Sequence, residues 1–335
     1  MTDTNGGVRT ASARAHSNIA LAKYWGKRDT PLNIPAVGSI SITLDALHTD
    51  TTVTFDPALP HDQLVLDDRE QPAARITPVL DLVRELGGFT VPAQVHSRNN
   101  FPTGAGLASS ASGFAALVVA ACRAAGVDAT TRELSILARR GSASAARSLF
   151  GGYVELHTDL DSDGAYAEQL RDETEWPLSV VVAITDRGAK PVPSTAGMQA
   201  TSATSPFYSA WVDNAESELA LVRSAIAQRD FTALGERTEH SCLALHSLMF
   251  TTQPPLIYWN AATVALIHTV RELRASGTAT YFTIDAGPQV KVLCQPQDAD
   301  AIAAALASVT GVVETRISGL GAGAHTMPNH ATGSH

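Results

Sequence analysis

The chain is poor in cysteine and has no long apolar run, and each shortage excludes a class of protein. Its three cysteines, Cys122, Cys242 and Cys294, lie far apart and form no C-x-x-C pair, which favours neither a disulfide framework nor a zinc ribbon. No apolar stretch is long enough to span a bilayer, and the first residues lack the hydrophobic segment of a secretory signal. We therefore expect a cytoplasmic protein that does not enter a membrane.

Basic residues are outnumbered by acidic ones. The sequence has 24 Lys and Arg against 33 Asp and Glu, which gives a formal net charge of -9. Surfaces that bind nucleic acid or anionic lipid carry a dense field of Lys and Arg, so we expect neither partner. An anionic ligand must then be met by a local cluster of cations.

Three common catalytic signatures are missing as well. The sequence contains no G-x-x-x-x-G-K-[ST], no G-x-S-x-G and no H-E-x-x-H, which argues against a Walker-type nucleotide fold, an α/β-hydrolase and a zinc site of that kind. His240 and His246 are six residues apart, a spacing that does not suit two metal ligands on one helix. We interpret both as structural or surface residues.

The patterns that are present predict two lobes. With 335 residues, of which 44% are hydrophobic, the chain can bury a large core. Strand-like alternation dominates the first part, where SISITLDAL and TDTTVTF read as two strands, and helical patterns follow at 206–228, 231–249 and 255–276. Without regular βαβ alternation, such runs indicate an α+β architecture with a cleft. The small, polar and aperiodic ends predict flexible tails.

One glycine-rich stretch has the pattern of an anion-binding loop. Residues 99–111, NNFPTGAGLASSA, stand between a strand-like and a helical segment, so that N–H groups and the helix dipole would face an anion. Gly104 and Gly106 permit close backbone approach, and Ser109 and Ser110 offer hydroxyls. An ordinary glycine-rich turn capped by serine explains the pattern equally well.

Three other stretches carry candidate charges. Residues 17–29, SNIALAKYWGKRD, concentrate three cations and two aromatics, although a solvated turn is the simpler interpretation. Residues 141–152, GSASAARSLFGG, place Ser144 and Arg147 on one helical face, where the arginine either grips a carboxylate or caps the helix end. In TIDAGP, Asp285 ends an apolar strand and either accepts a proton or caps its own turn.

Together, and in this order, the four stretches resemble the motifs of the diphosphomevalonate decarboxylase family, a member of the GHMP kinase superfamily. The resemblance covers most of the chain. It implies an α+β GHMP kinase fold in which residues 14–186 form an N-terminal lobe similar to ribosomal protein S5 and residues 187–324 form a ferredoxin-like C-terminal lobe, with a deep active-site cleft between them. Residues 1–13 and 325–335 remain as the expected flexible tails.

The resemblance also implies a reaction. It is the ATP-dependent decarboxylation of (R)-5-diphosphomevalonate to isopentenyl diphosphate, ADP, phosphate and CO2, in the mevalonate pathway of isoprenoid biosynthesis. ATP and Mg²⁺ are the expected cofactors, with the metal carried on the ATP phosphates and its direct ligands unassigned. A second copy of the chain, in a homodimer, is the expected protein partner.

The family pattern assigns a role to each candidate residue. Asp285 would take the hydroxyl proton of the substrate, Lys23 would keep Asp285 ionised, and Arg147 would bind the substrate carboxylate. Asn18 would support the pair of Lys23 and Asp285. The implied substrate pocket comprises Tyr24, Trp25, Lys27, Ser142, Ser144, Ser194 and Met198, with Lys190 nearby in a flexible segment. The ATP phosphates would lie against Gly104, Ala105, Gly106, Leu107, Ala108, Ser109 and Ser110.

The chain departs from the family pattern at a few positions. Ala143 and Ala146 stand where Gly and Cys are more frequent, Gly104 stands where Ala is, and Gln289 replaces Asn. None of these changes removes a charge or hydroxyl with an expected role, so they bear on fine substrate preference.

Three alternative functions remain open from the sequence. A 5-phosphomevalonate decarboxylase would share this pocket, and so would a mevalonate-type kinase. The kinase is disfavoured because Asp285, Lys23 and Arg147 are all present. A protein that only senses ATP or an isoprenoid precursor is the alternative outside enzymology.

Overall fold

The computed structural model describes residues 7–158, 161–188 and 190–328. The strands are β1 (Arg9–Ala22), β2 (Lys27–Asp29), β3 (Ile34–Pro35), β4 (Ser39–Phe55), β5 (Gln63–Leu66), β6 (Arg69–Gln71), β7 (Ala93–Asn99), β8 (Tyr153–Leu156), β9 (Ala167–Arg171), β10 (Ser179–Ile184), β11 (Thr280–Thr283), β12 (Val290–Cys294), β13 (Glu314–Ser318) and β14 (His325–Met327). The α-helices are α1 (Thr77–Gly87), α2 (Ser109–Ala125), α3 (Thr131–Gly141), α4 (Ser194–Thr204), α5 (Tyr208–Gln228), α6 (Phe231–Phe250), α7 (Ala261–Ala275) and α8 (Ala299–Ala307).

The first sheet is built around the two long strands β1 and β4. Its strand order is β14-β1-β4-β7-β5-β6, and β8 pairs with β4 while β9 pairs with β8. Ala11, Ala13 and Ala15 of β1 are buried at every second position and belong to the same core cluster as the residues of α2. Because these side chains are small, α2 packs close to the sheet, which explains why a helix that is apolar nearly all round is buried here.

The second sheet has the antiparallel order β11-β12-β10-β13. Helices α6 and α7 pack on β11, and α8 packs on β10 and β13. One hydrophobic cluster takes Ile19 from β1, Val180 from β10 and Val222 from α5, so the two lobes share a core. An ion pair between the buried Glu155 of β8 and the partly exposed Arg223 of α5, with an oxygen–nitrogen distance of 2.6 Å, also joins them. The lobes therefore hold a fixed position against each other.

Mixed sheets and helices confirm the α+β expectation, but one expectation about β structure is wrong. Residues 39–55 form the single strand β4 rather than two strands. Its register with β1 shifts from the pair His16–His48 to the pair Asn18–Thr43, so residues 44–47 bulge opposite Ser17. The bulge accounts for the break in alternation that suggested a connection.

The ends of the chain differ from the expected flexible tails. Residues 9–13 lie in β1 and pair with residues 51–55 of β4, and β14 pairs with residues 12–14 of β1. Ladder hydrogen bonds hold these residues in place although their side chains are small or polar. Residues 1–6 and 329–335 lie outside the described part of the chain.

The expected lobe boundary and the expected flexible segment need similar revision. β10 pairs with β12 and β13, which places residues 179–184 in the second sheet, whereas the predicted boundary after residue 186 put them in the first lobe. The segment around Ser194 forms helix α4, because Met198 is buried in an apolar cluster with Trp25 and Tyr258. The three predicted central helices are confirmed as α5, α6 and α7. None of the described helices has the length and apolar character that a bilayer crossing requires.

The contact between α6 and the second sheet gives a stability prediction. A Cβ added at Gly235 of α6 would lie 2.0 Å from the Tyr281 ring, whereas one added at Gly113 of α2 would meet nothing within 4 Å. We expect Gly235→Ala to lower the free energy of unfolding by about 1–3 kcal/mol, since overpacking outweighs the better helix propensity of alanine.

Gly113→Ala is the matched control, and it should raise the free energy of unfolding by roughly 0.5–1 kcal/mol. Urea denaturation of both variants measures the difference. Equal effects of the two substitutions would contradict the packing of α6 on β11.

Candidate active site

A carboxylate held between two lysines lies where the lobes meet. Asp285 follows β11, and its Oδ1 is 2.7 Å from Lys23 Nζ while its Oδ2 is 3.0 Å from Lys291 Nζ. The side chains of Lys23 and Lys291 are 2% and 0% exposed, and that of Asp285 is 27% exposed. Burial disfavours ionisation, but the charges of the two lysines outweigh it and hold the pKa of Asp285 well below its usual range. The carboxylate is therefore ionised at neutral pH and reaches the cleft.

The trio comes from two distant parts of the chain. Lys23 directly follows β1, while Asp285 and Lys291 lie on the β11–β12 hairpin, where Thr283 is the partner of Lys291 in the ladder. Lys291 stands inside a strand whose five residues are all buried. Burial is the main reason that the pKa of Lys291 is lowered, and the attraction of Asp285 opposes this effect.

Lys291 was not among the residues singled out from the sequence, although a signal for it exists. The chain contains four lysines, Lys23, Lys27, Lys190 and Lys291, and all its other basic residues apart from histidine are arginines. One of these lysines interrupts the apolar strand VKVLC, which is costly unless the amine has a partner. A rare cation inside an apolar strand is thus the feature that points to Lys291.

The glycine-rich loop is fastened through three consecutive carbonyl groups. Gln289 Nε2 donates to the carbonyl of Ala105 at 3.0 Å, Lys291 Nζ to that of Gly106 at 2.8 Å, and Ser17 Oγ to that of Leu107 at 2.6 Å. The backbone N–H groups of residues 105–108 donate to no partner within the described part of the chain. Carbonyls tied to the protein and N–H groups left free are the arrangement that an anion needs.

The neighbouring residues complete the loop. Gly104 N donates to Ser109 Oγ at 3.1 Å, and α2 begins at Ser109 after Ala108, which has a left-handed φ of 58°. Gln289, where the family more often has Asn, is fully buried, and its Oε1 accepts a hydrogen bond from Thr185 N at 2.6 Å. This departure from the family pattern therefore connects the loop to the end of β10.

Arg147 presents a buried guanidinium on the other side of the site. It lies on a 3₁₀-helix, Ala143–Leu149, and is 2% exposed. Its Nε donates to Ser41 Oγ at 2.8 Å, one terminal nitrogen donates to Ser39 Oγ, and the other donates to Asn18 Oδ1 at 3.1 Å. In the described residues no carboxylate pairs with it at ion-pair distance. A buried cation with only neutral partners is suited to receive an anionic group.

The position of Asn18 corrects one expectation. Its Nδ2 donates to the Ser144 carbonyl at 3.0 Å and to Ser148 Oγ at 2.8 Å, and its Oδ1 accepts from Arg147. Within the described residues it makes no hydrogen bond to Lys23 or Asp285. Asn18 therefore fixes the guanidinium, because β1 turns its side chain towards the 3₁₀-helix.

Hydroxyls and aromatic rings line the space between these groups. Ser142 Oγ lies 3.1 Å from Ser144 Oγ and 3.4 Å from Ser110 Oγ, so a row of hydroxyls runs from the loop towards Arg147. The Tyr24 ring lies 5.5 Å from the Arg147 guanidinium, and burial raises the pKa of its phenol. Trp25 and Met198 are both buried in the apolar cluster that includes Tyr258 and Ala286.

Two more lysines border the site. Lys190 Nζ donates to Ser194 Oγ at 2.8 Å, and burial, together with the charge of Lys291, lowers its pKa. Lys27 is half-buried, and its pKa is lowered by burial and by the charge of Arg75. Arg75, which the sequence did not single out because it lies far from the four stretches, is therefore close enough to Lys27 for its charge to act on that amine.

A cavity of about 340 Å³ adjoins the outer side of the loop. It is lined by the end of β7, by the segment leading into the loop and by two arginines of the second lobe, including Asp67, Asn99, Phe101, Thr103, Arg187 and Arg316. The cavity offers room for the remainder of a ligand whose anionic end lies against the loop. Residues 99–103 of this lining belong to the stretch that the sequence singled out, whereas Asp67, Arg187 and Arg316 were not predicted from the sequence.

His246 is buried behind Asp285 and is structural, as expected. Its Nε2 must accept the hydrogen bond from Trp259 Nε1, at 3.3 Å, because an indole nitrogen only donates. The proton is therefore on Nδ1. Burial lowers the pKa of His246 to about 3, so the ring stays neutral. No set of three His, Cys, Asp or Glu side chains in the described residues is arranged to hold a metal ion.

Comparison with known families identifies this arrangement. The model of the diphosphomevalonate decarboxylase-like N-terminal domain matches residues 15–167, and that of the mevalonate 5-diphosphate decarboxylase C-terminal domain matches residues 180–329. The chain belongs to the diphosphomevalonate decarboxylase family. The gap between the two matched segments precedes Ser179–Ile184 almost entirely, which agrees with the place of β10 in the second sheet.

Individual relatives of the diphosphomevalonate decarboxylase family cover nearly the whole chain. Diphosphomevalonate decarboxylase mvd1 of Aspergillus fumigatus is 35% identical, with 91% of this chain and 81% of that protein aligned. Phosphomevalonate decarboxylase of Haloferax volcanii is also 35% identical, with 95% and 97% aligned. The complex of MDDEF with MVAPP, AMPPCP and magnesium is 38% identical and superposes with a TM-score of 0.89 over 96% of this chain and 99% of that one. The predicted GHMP kinase fold is thereby confirmed.

The fit of the loop against the hairpin of Asp285 gives a second prediction. A Cβ at Gly106 would lie 2.4 Å from the Gly287 carbonyl oxygen, whereas one at Gly104 would meet nothing within 4 Å. Both glycines have positive φ, +81° and +75°, so alanine is strained equally at either position. We expect Gly106→Ala to raise the KM for ATP about tenfold or more relative to Gly104→Ala, because only the former displaces the loop.

Steady-state kinetics at saturating second substrate measure the two KM values. Similar values for the two variants would show that contact with Gly287 does not set the position of the loop.

Proposed function

We propose that this protein catalyses the ATP-dependent decarboxylation of (R)-5-diphosphomevalonate to isopentenyl diphosphate, ADP, phosphate and CO2, as a step of isoprenoid biosynthesis. The observation that carries the proposal is the ionised Asp285 carboxylate, which is held between Lys23 and Lys291 beside a loop with free N–H groups. A base next to a phosphate site is the arrangement required for phosphoryl transfer to a hydroxyl.

The first step is activation of the tertiary 3-hydroxyl. Its oxygen bonds to the terminal phosphorus of ATP while its proton passes to Asp285, and ADP leaves with the electrons of the broken P–O bond. Lys23 and Lys291 keep Asp285 ionised before the step, and Lys23 screens the negative charge near the transferred group. A tertiary alcohol is a poor nucleophile, so the positioned base is essential.

The second step removes the carboxylate. The C3–O bond breaks and phosphate leaves, the bond from the neighbouring carbon to the carboxylate breaks as CO2 forms, and its electron pair becomes the new C=C bond. Arg147 holds the carboxylate in line with the breaking bond, since two of its five N–H donors have no partner in the described residues. Asn18, Ser39 and Ser41 keep the guanidinium in place.

The nucleotide phosphates lie on the loop. Residues 105–108 offer free backbone N–H groups and Ser109 and Ser110 offer hydroxyls, while the adjoining cavity of about 340 Å³ receives the rest of the nucleotide. When bound, ATP supplies the phosphoryl group and Mg²⁺ neutralises phosphate charge. The donor set fits: free N–H groups suit phosphate oxygens, and Mg²⁺ commonly arrives with the phosphates it bridges.

The substrate diphosphate lies where the remaining cations and hydroxyls converge. We assign the diphosphate to Lys27, whose pKa is lowered by burial and by the charge of Arg75, to the adjacent hydroxyls of Ser142 and Ser144, and to Lys190, which donates to Ser194 Oγ. Two adjacent cations favour a diphosphate over a monophosphate. 5-Phosphomevalonate is the second candidate substrate, supported by the likeness to the Haloferax volcanii protein. Tyr24, Trp25 and Met198 provide the apolar wall for the carbon chain.

Assembly and location follow as parts of the same proposal. The enzyme is a homodimer, as the family pattern suggests, and sedimentation equilibrium should return twice the chain mass of 35.1 kDa. A mass equal to that of one chain would contradict the homodimer.

The enzyme resides in the cytoplasm, which suits three free and buried cysteines, and it should fractionate with the soluble contents of the cell.

The proposal predicts a coupled reaction. Purified protein with MgATP and 5-diphosphomevalonate should release CO2 and phosphate in equal amounts, and 5-phosphomevalonate should give a kcat/KM at least about tenfold lower because one charged contact is lost. Coupled ADP detection and trapping of CO2 measure both. ADP formation without CO2 would identify a kinase, and a preference for the monophosphate would identify the alternative decarboxylase.

Asp285→Asn is the control for the chemistry. It keeps the shape of the side chain but removes the base, so turnover should fall by at least about 10²-fold while AMPPCP still binds. Retained turnover would remove Asp285 from the mechanism.

A further inference from the structure

The family pattern assigns no role to Lys291, and the proposed function uses only its charge beside Asp285 and not its bond to the glycine-rich loop. Its amine donates to Asp285 Oδ2 at 3.0 Å and to the Gly106 carbonyl at 2.8 Å, and its side chain is 0% exposed. It touches the base on one side and the phosphate loop on the other. Among the described residues, Lys291 is therefore the one side chain that forms hydrogen bonds both to the catalytic base and to the glycine-rich loop.

The hairpin around Lys291 contacts the loop at alternate positions. The Gly287 carbonyl leaves room for Gly106 only as glycine, Gln289 donates to the Ala105 carbonyl, and Lys291 donates to the Gly106 carbonyl. Residues 287, 289 and 291 thus form one continuous support. This support connects the loop to the hairpin that carries Asp285.

Only one of these contacts carries a charge. Gln289 holds the loop through a neutral amide and makes no hydrogen bond to Asp285. Lys291 holds the loop and also forms an ion pair with the Asp285 carboxylate. A neutral residue of similar length at position 291 would leave Asp285 with a single cationic partner, Lys23. The attraction between Asp285 and Lys23 alone would then have to offset the desolvation of the carboxylate.

We propose that Lys291 is a positioning residue that couples the phosphate loop to the catalytic base, so that nucleotide binding and ionisation of Asp285 depend on the same amine. This inference rests on the proposed function for the identity of the base. It assigns to Lys291 two separable contributions: a hydrogen bond that holds the loop and a positive charge that keeps the carboxylate ionised.

Other charged and titratable groups also act on Asp285. They are Lys23 after β1, Lys190 before α4, Arg147 on the 3₁₀-helix, Tyr24, and Cys242 and His246 on α6. His246 stays neutral, and burial raises the pKa of the Cys242 thiol to about 11, so neither changes charge between pH 4 and 8. A shift of the acid limb on changing Lys291 therefore reports the lysine charge.

Three variants separate the two contributions. Lys291→Met loses both the hydrogen bond and the charge. Lys291→Gln loses the charge but keeps a donor for the loop, and Gln289→Leu loses a loop contact but leaves both lysines on Asp285. All three are isolated as the full chain, and circular dichroism establishes that each is folded.

The kcat profile over pH tests the charge. Removing a cation at 3.0 Å from the carboxylate should raise the pH of the acid limb by about one unit or more in Lys291→Met and in Lys291→Gln. Gln289→Leu should keep the acid limb of the unmodified protein. An acid limb that does not move in either Lys291 variant would overturn the proposal and leave Lys291 with a packing role only.

Binding of AMPPCP, measured by calorimetry with Mg²⁺ present, tests the hydrogen bond without turnover. Affinity should fall about tenfold in Lys291→Met, should fall by a similar factor in Gln289→Leu, and should be largely restored in Lys291→Gln. If the unmodified protein releases no CO2, the proposed function fails, but the AMPPCP affinities still test whether Lys291 holds the loop. Unchanged AMPPCP affinity in Lys291→Met would overturn it.

Discussion

Three charges at the junction of the lobes, two of them on buried lysines, constrain the rest of the structure. Asp285 needs both Lys23 and Lys291, because a carboxylate removed from water is unstable unless cations and hydrogen bonds replace its hydration. Meeting that need brings the end of β1 to the β11–β12 hairpin, and hence the first sheet to the second. The shared core of Ile19, Val180 and Val222 then fills the space beside the trio. The cleft therefore lies where the three charges meet, and its walls are formed by the elements that carry these residues.

The same junction gives the loop its polarity. A glycine-rich segment can turn either its carbonyls or its N–H groups to a ligand, and here Ser17, Gln289 and Lys291 occupy the carbonyls from the protein side. No lysine within the loop is required, because the cations come from the strands behind it. This accounts for a phosphate loop without the Walker lysine in a chain that is acidic overall.

Much of this was predictable from the sequence, and the failures have physical causes. The bounds of long helices such as α5 and α6 were predicted to within about two residues, because burial of one helix face produces a periodic apolar pattern in the sequence. The bulge in β4 and the edge strand β14 depend on partners distant in the chain, which local pattern does not record. At the site, Asp285, Lys23 and Arg147 stood in recognisable stretches and do lie together. Lys291 and Arg75 stood outside such stretches, and Asn18 proved to fix Arg147, since contacts across more than a hundred residues decide its role.

The scarcity of lysine has a practical consequence for anyone handling this protein. Three of the four side-chain amines, those of Lys23, Lys190 and Lys291, interact with Asp285, and burial lowers the pKa of the partly exposed Lys27 and Lys190. A reagent that labels amines, or a support that captures proteins through them, would react with the remaining surface only at the chain's own α-amino group. If Lys27 and Lys190 bind the substrate as proposed, attachment through amines would compete directly with substrate, and substrate would in turn protect both side chains from the reagent.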